Sequence, residues 1–219
     1  PPPRPELGID AGYEWFEPAR GALRVSGVPN LQQFSVPGRT GERVASGCVP
    51  TAGANVLQYW AKHGFPALME EEKGEEEAGR DLVLRLRRRM EMEEFPDEAG
   101  YTENGMPLSG AFPRDLARAM REEVEACGGG MEVVSRAFSE EALKREIEQG
   151  RPVLLSCLVR LPQRPQLSWG HEVAAIGWGP GRSGNFVFVR DNFYPTRFGD
   201  AVRCLPVKVF TEMIMLRPL

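Results

Sequence analysis

Histidine is nearly missing from this chain: of 219 residues, only His63 and His171 carry an imidazole. A zinc site built on several histidines is therefore excluded, and no HExxH pattern suggests one. Cysteine is scarce as well. Cys48, Cys127, Cys157 and Cys204 lie far apart with no CxxC pair, which excludes a zinc ribbon and a disulfide-dense scaffold. No unbroken apolar run of ~20 residues is present, so no segment reads as membrane-spanning. Charge of one sign is also lacking: a net charge of −4 leaves no basic footprint for nucleic acid or an anionic membrane surface. Internal repeats are absent. No metal or cofactor is expected.

What remains suffices for one domain with a substantial core over residues 1–219. Residues 1–12 read as a loose entry segment. Pro1-Pro2-Pro3 without a methionine suggests a processed start, leaning toward a secreted or cell-envelope protein with a removed signal segment. Glu14-Trp15-Phe16 and Leu23-Arg24-Val25 read as short strands or covering loops. From Cys48 to His63, Ala52, Val56, Tyr59 and Trp60 recur at helical spacing beside a second row of Val49, Gly53 and Leu57. Apolar residues on more than one side predict a helix sunk in the core. Gly64 and Pro66 end it.

A charged helical insertion follows at about 66–112. Leu82, Val83, Leu86 and Met90 give it a narrow apolar stripe, and glutamates precede arginines in the order that suits i,i+4 pairs and the helix dipole. It reads as a solvated amphipathic helix, with a partner-binding surface as the alternative, and then a Gly/Pro-rich loop from Phe95 to Phe112. Helices over 113–127 and from Ser139 to Gly150 flank a strand over 131–137. Strands are predicted at Val153–Val159, Glu172–Trp178, Phe186–Arg190 and Val207–Leu216. Helices dominate early and strands late, so the fold class is α+β.

A cysteine nucleophile needs a thiol that ionises near neutral pH, a base held in one tautomer, and donors for the oxyanion. Cys48 opens the core helix, where unpaired first-turn N–H groups would lower its pKa. His63 lies at the far end of that helix, ~20 Å away at 1.5 Å per residue, and cannot serve it. His171 opens a strand directly after Trp169-Gly170. If the next strand returns beside it, Asp191 or Asn192 comes back to its level and can fix the imidazole.

The segment Ser46-Gly47-Cys48-Val49-Pro50-Thr51-Ala52-Gly53-Ala54-Asn55-Val56-Leu57-Gln58-Tyr59-Trp60 resembles the nucleophile segment of the bacteriocin-leader-processing peptidases and their C39-like relatives, in the papain-like clan. Gly170-His171-Glu172-Val173-Ala174-Ala175-Ile176-Gly177-Trp178 resembles their histidine strand, and the run to Asp191 their third motif. Val28-Pro29-Asn30-Leu31-Gln32-Gln33 resembles the entry segment whose glutamine helps bind the oxyanion. The likeness spans roughly residues 28–63 and 131–192, and leaves out the charged middle segment. Val49 stands where the family often has glycine, Asn192 where it often has proline, and the link from Gln33 to Cys48 is long.

The resemblance implies a papain-like α+β fold, with Cys48 on a helical part facing an antiparallel sheet that bears His171 and Asp191. It assigns Cys48 as nucleophile, His171 as base, Asp191 as the orienting group and Gln33 as oxyanion donor. The implied activity is cysteine-dependent hydrolysis of a peptide or amide bond in a peptide or protein substrate. Acyl transfer or transpeptidation by the same groups, and a catalytically silent papain-like binding domain, are the alternatives.

Overall fold

The computed structural model describes residues 22–39, 41–70, 72–94, 102–103, 106–107, 109–161, 164–181, 184–192 and 202–219. It is a mixture of helices and antiparallel sheet. In chain order, β1 (Leu23–Arg24), β2 (Ser35–Pro37) and β3 (Arg43–Ala45) lead into helix α1 (Cys48–Lys62). Helix α2 (Glu75–Met90) is followed by the short strands β4 (Glu93–Glu94), β5 (Thr102–Glu103), β6 (Met106–Pro107) and β7 (Ser109–Gly110). Then come α3 (Pro113–Ala126), β8 (Met131–Ala137), α4 (Glu140–Glu148), β9 (Val153–Leu161), β10 (Arg164–Gly181), β11 (Gly184–Arg190), β12 (Arg203–Pro206) and β13 (Phe210–Pro218). The proposed strand at Glu14-Trp15-Phe16 lies outside the described residues.

The main sheet runs β12-β11-β10-β9-β13-β8, with β1 pairing the far end of β10; every pairing is antiparallel. Two differences from the sequence reading matter for the site. His171 does not open its strand: β10 starts at Arg164, and His171 pairs with Cys157 well inside the ladder. Ser168, Trp169 and Gly170 already pair with Arg160, Val159 and Leu158 of β9 before His171 is reached. The final strand starts at Phe210 rather than Val207, and an unexpected strand precedes it. Arg203–Pro206 forms a separate strand beside β11, and a 3-10 turn at Val207–Val209 leads into β13.

Helix α1 is buried from Val49 through Trp60, as its two apolar rows predict. Gly53 permits this packing, because a Cβ there would meet Leu116 Cδ1 at 2.9 Å and Leu86 Cδ1 at 3.0 Å. Both α2 and α3 thus close on α1, while its other side rests on β10 and β9. The apolar stripe of α2 is buried as the sequence predicts. Its charged face is not simply solvated. Arg85 Nε (2.6 Å) and Arg89 Nε (2.8 Å) both donate to the carboxylate of Glu123 on α3, which is buried. Glu146 plays a similar part for α4. Burial alone would raise its pKa, but Arg151 and Arg217 hold the carboxyl below the ordinary value.

The bond pair at Glu123 gives a stability test. Glu123→Gln keeps the shape but leaves two guanidinium groups facing a neutral amide. The variant should lose about 2 kcal/mol, read as a lower urea midpoint with an unchanged m-value. A midpoint equal to wild type would show that the α2–α3 contact rests on apolar packing alone.

Candidate functional site

Cys48 is the first residue of α1 and is partly exposed. Gly47, immediately before it, has φ +92°, a region open to glycine and costly for other residues. No side chain caps the helix N-terminus, and no acidic residue stands in its first turn. The positive end of the helix dipole therefore lies at the Cys48 thiol, with no carboxylate in the same turn. All four cysteines are free.

The turn before Cys48 is pinned on the side of the entry segment. Ser46 N–H donates to Phe34 O (2.8 Å), and Phe34 N–H donates to Ser46 Oγ (3.1 Å). Thr51 Oγ1 donates to Gly47 O (2.7 Å). One residue earlier, Gln33 N–H donates to the Asn192 carbonyl (3.0 Å). Residues 33–34 therefore bridge two regions distant in sequence, the start of α1 and the end of β11. Gln33 is thus bonded to the residue after Asp191, and its neighbour Phe34 to a residue two before Cys48.

His171 and Asp191 meet this bridge from the sheet. His171 is 2% exposed and pairs with Cys157 on β9. The buried Cys157 thiol is pushed upward mainly by burial, with charges on Glu172, Cys48 and Asp191 adding to it. Cys48 and Asp191 are thus both close enough to act on the residue beside His171. Side chains alternate along a strand, so Cys157, His171 and Val173 share one face. Asp191 follows the last residue of β11 and is buried. Asn192 is buried as well. It takes a left-handed conformation (φ +49°), and its Nδ2 donates to the Glu172 carbonyl (3.0 Å).

The electrostatics of His171 are set by burial. A carboxylate beside His171 would raise the imidazole pKa, but the pKa falls from 6.5 to about 4. Burial is the main cause; a hydrogen bond to the Asp191 backbone pushes back upward, and the nearby charge of Arg203 lowers the value further. Arg203 on β12 forms a fully buried ion pair with Asp191 Oδ2. The resting imidazole is therefore neutral. The sequence reading missed Arg203, although an arginine in the apolar run Val202-Arg203-Cys204-Leu205 was the signal. It also passed over Glu172, whose buried carboxyl is pushed up to about 8 by desolvation despite the hydrogen bond from Ser156 Oγ (2.6 Å).

The two glutamines differ. Gln32 Nε2 donates to Asn30 O (3.1 Å) and Asn30 Oδ1 (3.0 Å), which ties it to its own segment. Gln33 and Gln32 both border a cavity of about 530 Å³ between the entry segment, Gln58 and the start of α2. His63 is remote, as the helix length requires: it caps the C-terminus of α1, its ring stacked on Tyr59 at 3.9 Å and Nδ1 2.7 Å from Tyr59 O. Among the described residues no His/Cys/Asp/Glu cluster of metal-binding shape occurs, and no helix is long and apolar enough to cross a membrane.

Nothing among protein-family models or curated proteins matches the chain. Among solved structures, it aligns with a Bacillus anthracis protein assigned by inference as a C39-like peptidase. The two are 13% identical, the alignment covers 90% of this chain and 98% of that one, and the TM-score is 0.49. At that level of likeness, any function must be argued from this chain's own residues.

Adjacent His171 and Glu172 should leave opposite marks on stability. His171 binds its proton near 4 when folded and near 6.5 when unfolded, so its contribution is lost as pH falls from about 6.5 to 4. Glu172 runs from 4.5 unfolded to about 8 folded, so stability declines as pH rises through that window. The two slopes oppose between about 4.5 and 6.5, and above that Glu172 acts alone. Wild-type stability should be level from pH 4.5 to 6.5, then fall toward pH 8 by up to about 1.4 kcal/mol per pH unit. Glu172→Gln should instead rise from pH 4.5 to 6.5 and then level off, measured by urea titration across pH. Identical profiles for both proteins would show that Glu172 is ionised in the fold.

Proposed function

We propose that this chain is a papain-like cysteine peptidase or amide hydrolase. The observation that carries the reading is the bridge at residues 33–34, hydrogen-bonded to Asn192 on one side and to Ser46 on the other. It ties the segment leading into the Cys48 helix to the strand end that carries Asp191, and the reading takes Cys48, His171, Asp191 and Gln33 as one site.

In this reading Cys48 attacks the carbonyl carbon of a peptide or amide bond. His171 is neutral at rest, so it takes the Cys48 proton as the thiol approaches the substrate rather than holding a standing ion pair. The oxyanion that forms is met by the Cys48 backbone N–H, at the positive end of α1, and by the Gln33 amide. The protonated imidazole, next to Asp191, then gives its proton to the leaving amine. Water attacks the resulting thioester, returns its proton through His171 and frees the acid. Arg203 holds Asp191 in place through their buried ion pair. A second amine in place of water would give acyl transfer.

Incubation with a diverse peptide mixture, with and without a competing amine, and readout by mass spectrometry tests the reading. New termini that depend on Cys48 support hydrolysis, and amine adducts point to transfer. Cys48→Ala with undiminished cleavage would overturn it. On one amide substrate, Gln33→Ala should lower turnover by about a hundredfold to a thousandfold. Gln32→Ala should stay near wild type, since its amide N–H is already taken by Asn30. The reverse order would move the oxyanion donor to Gln32.

A further inference from the structure

We propose that Arg87 is a positioning residue for the Cys48 turn, and that the charged insertion exists in this fold as a brace for that turn. The proposal rests on the cysteine-hydrolase reading above. Arg87 lies near the C-terminal end of α2 and sends its guanidinium across to the chain just before the nucleophile. Its Nη1 donates to Ser46 O (2.7 Å), to Ala45 O (3.2 Å) and to Ser109 Oγ (2.7 Å), with Met92 Sδ at 3.7 Å. Ser109 Oγ passes its own proton to Ala45 O (2.6 Å), since a hydroxyl can accept and donate at once.

The two carbonyls before Gly47 are thereby fixed from the insertion side, and Thr51 fixes the third, that of Gly47. Peptide planarity does the rest. In a trans peptide the N–H points opposite to the C=O of the same unit. Holding Ser46 O on Arg87 therefore aims the Gly47 N–H away from the insertion. Holding Gly47 O on Thr51 aims the Cys48 N–H away from the helix body, toward the place where an oxyanion would form. The insertion also packs directly on the turn: a Cβ at Gly47 would meet Met92 Cε at 2.7 Å and Ser109 O at 3.2 Å. Pairing of Glu94 with Ser109 in the β4–β7 bracket keeps Ser109 beside the end of α2. A guanidinium next to the turn adds positive potential at the helix start, which favours the thiolate.

Arg87→Met and Arg87→Lys in the full chain test this, each checked for folding by circular dichroism. The first readout is the pH profile of Cys48 alkylation by iodoacetamide, mapped by mass. In Arg87→Met it should move up by about one pH unit, and Arg87→Lys, which keeps a donor and the charge, should stay near wild type. The second is turnover of an amide substrate cleaved in a Cys48-dependent way. Arg87→Met should lower kcat about tenfold to a hundredfold, with KM within about threefold. A folded Arg87→Met protein with wild-type alkylation profile and kcat would overturn the proposal. If Arg87→Met does not fold, Ser109→Ala decides: a smaller shift in the same direction supports the brace, and an unchanged profile overturns it. Lack of any Cys48-dependent turnover in wild type would sink the hydrolase reading, while the alkylation profiles would still decide the brace.

Discussion

The contact on which the site depends is the pair of backbone crossings at residues 33–34. Gln33 N–H reaches the Asn192 carbonyl, and Phe34 exchanges two bonds with Ser46. Apolar packing is non-directional and by itself sets no ångström-scale geometry between the start of α1 and the end of β11. With these crossings, the helix that carries a thiol and the sheet that carries an imidazole are held in one register. The other constraints act on this frame. Arg87 and Ser109 fix the turn from behind, Asn192 secures the strand end through Glu172, and Arg203 anchors Asp191.

The local parts of this arrangement were legible in the sequence. The two apolar rows after Cys48 marked a buried helix with the thiol at its start, and that is where the helix begins. Gly128-Gly129-Gly130 and Gly150 bounded α3, β8 and α4 to within a residue or so. Val153 to Val159 read as a buried strand because it is apolar on both faces. Each signal lies within a window of ten or so residues, and there propensity and pattern carry information.

What stayed hidden depends on partners far apart in the chain. The arginines of α2 look like a solvated face until α3 supplies Glu123 and the nucleophile turn supplies two carbonyls. Arg203 lies in a strand of four residues, too short for periodicity to show. The titration of His171 is hidden from the sequence for a related reason. A neighbouring carboxylate can be guessed from the sequence, but complete burial and a second cation on that carboxylate cannot. Desolvation then outweighs attraction.

The sheet order has a consequence for when the core around His171 can close. β13 does not lie at an edge: it sits between β9 and β8, and thus inside the sheet that carries His171. During synthesis Cys48 leaves the ribosome long before β10, and β10 before the strand that completes the sheet. Until β13 inserts, β9 has an open edge and the imidazole has no closed core to sit in. The sheet around His171 is therefore closed only by its last strand in chain order, after both α1 and β10 have been made.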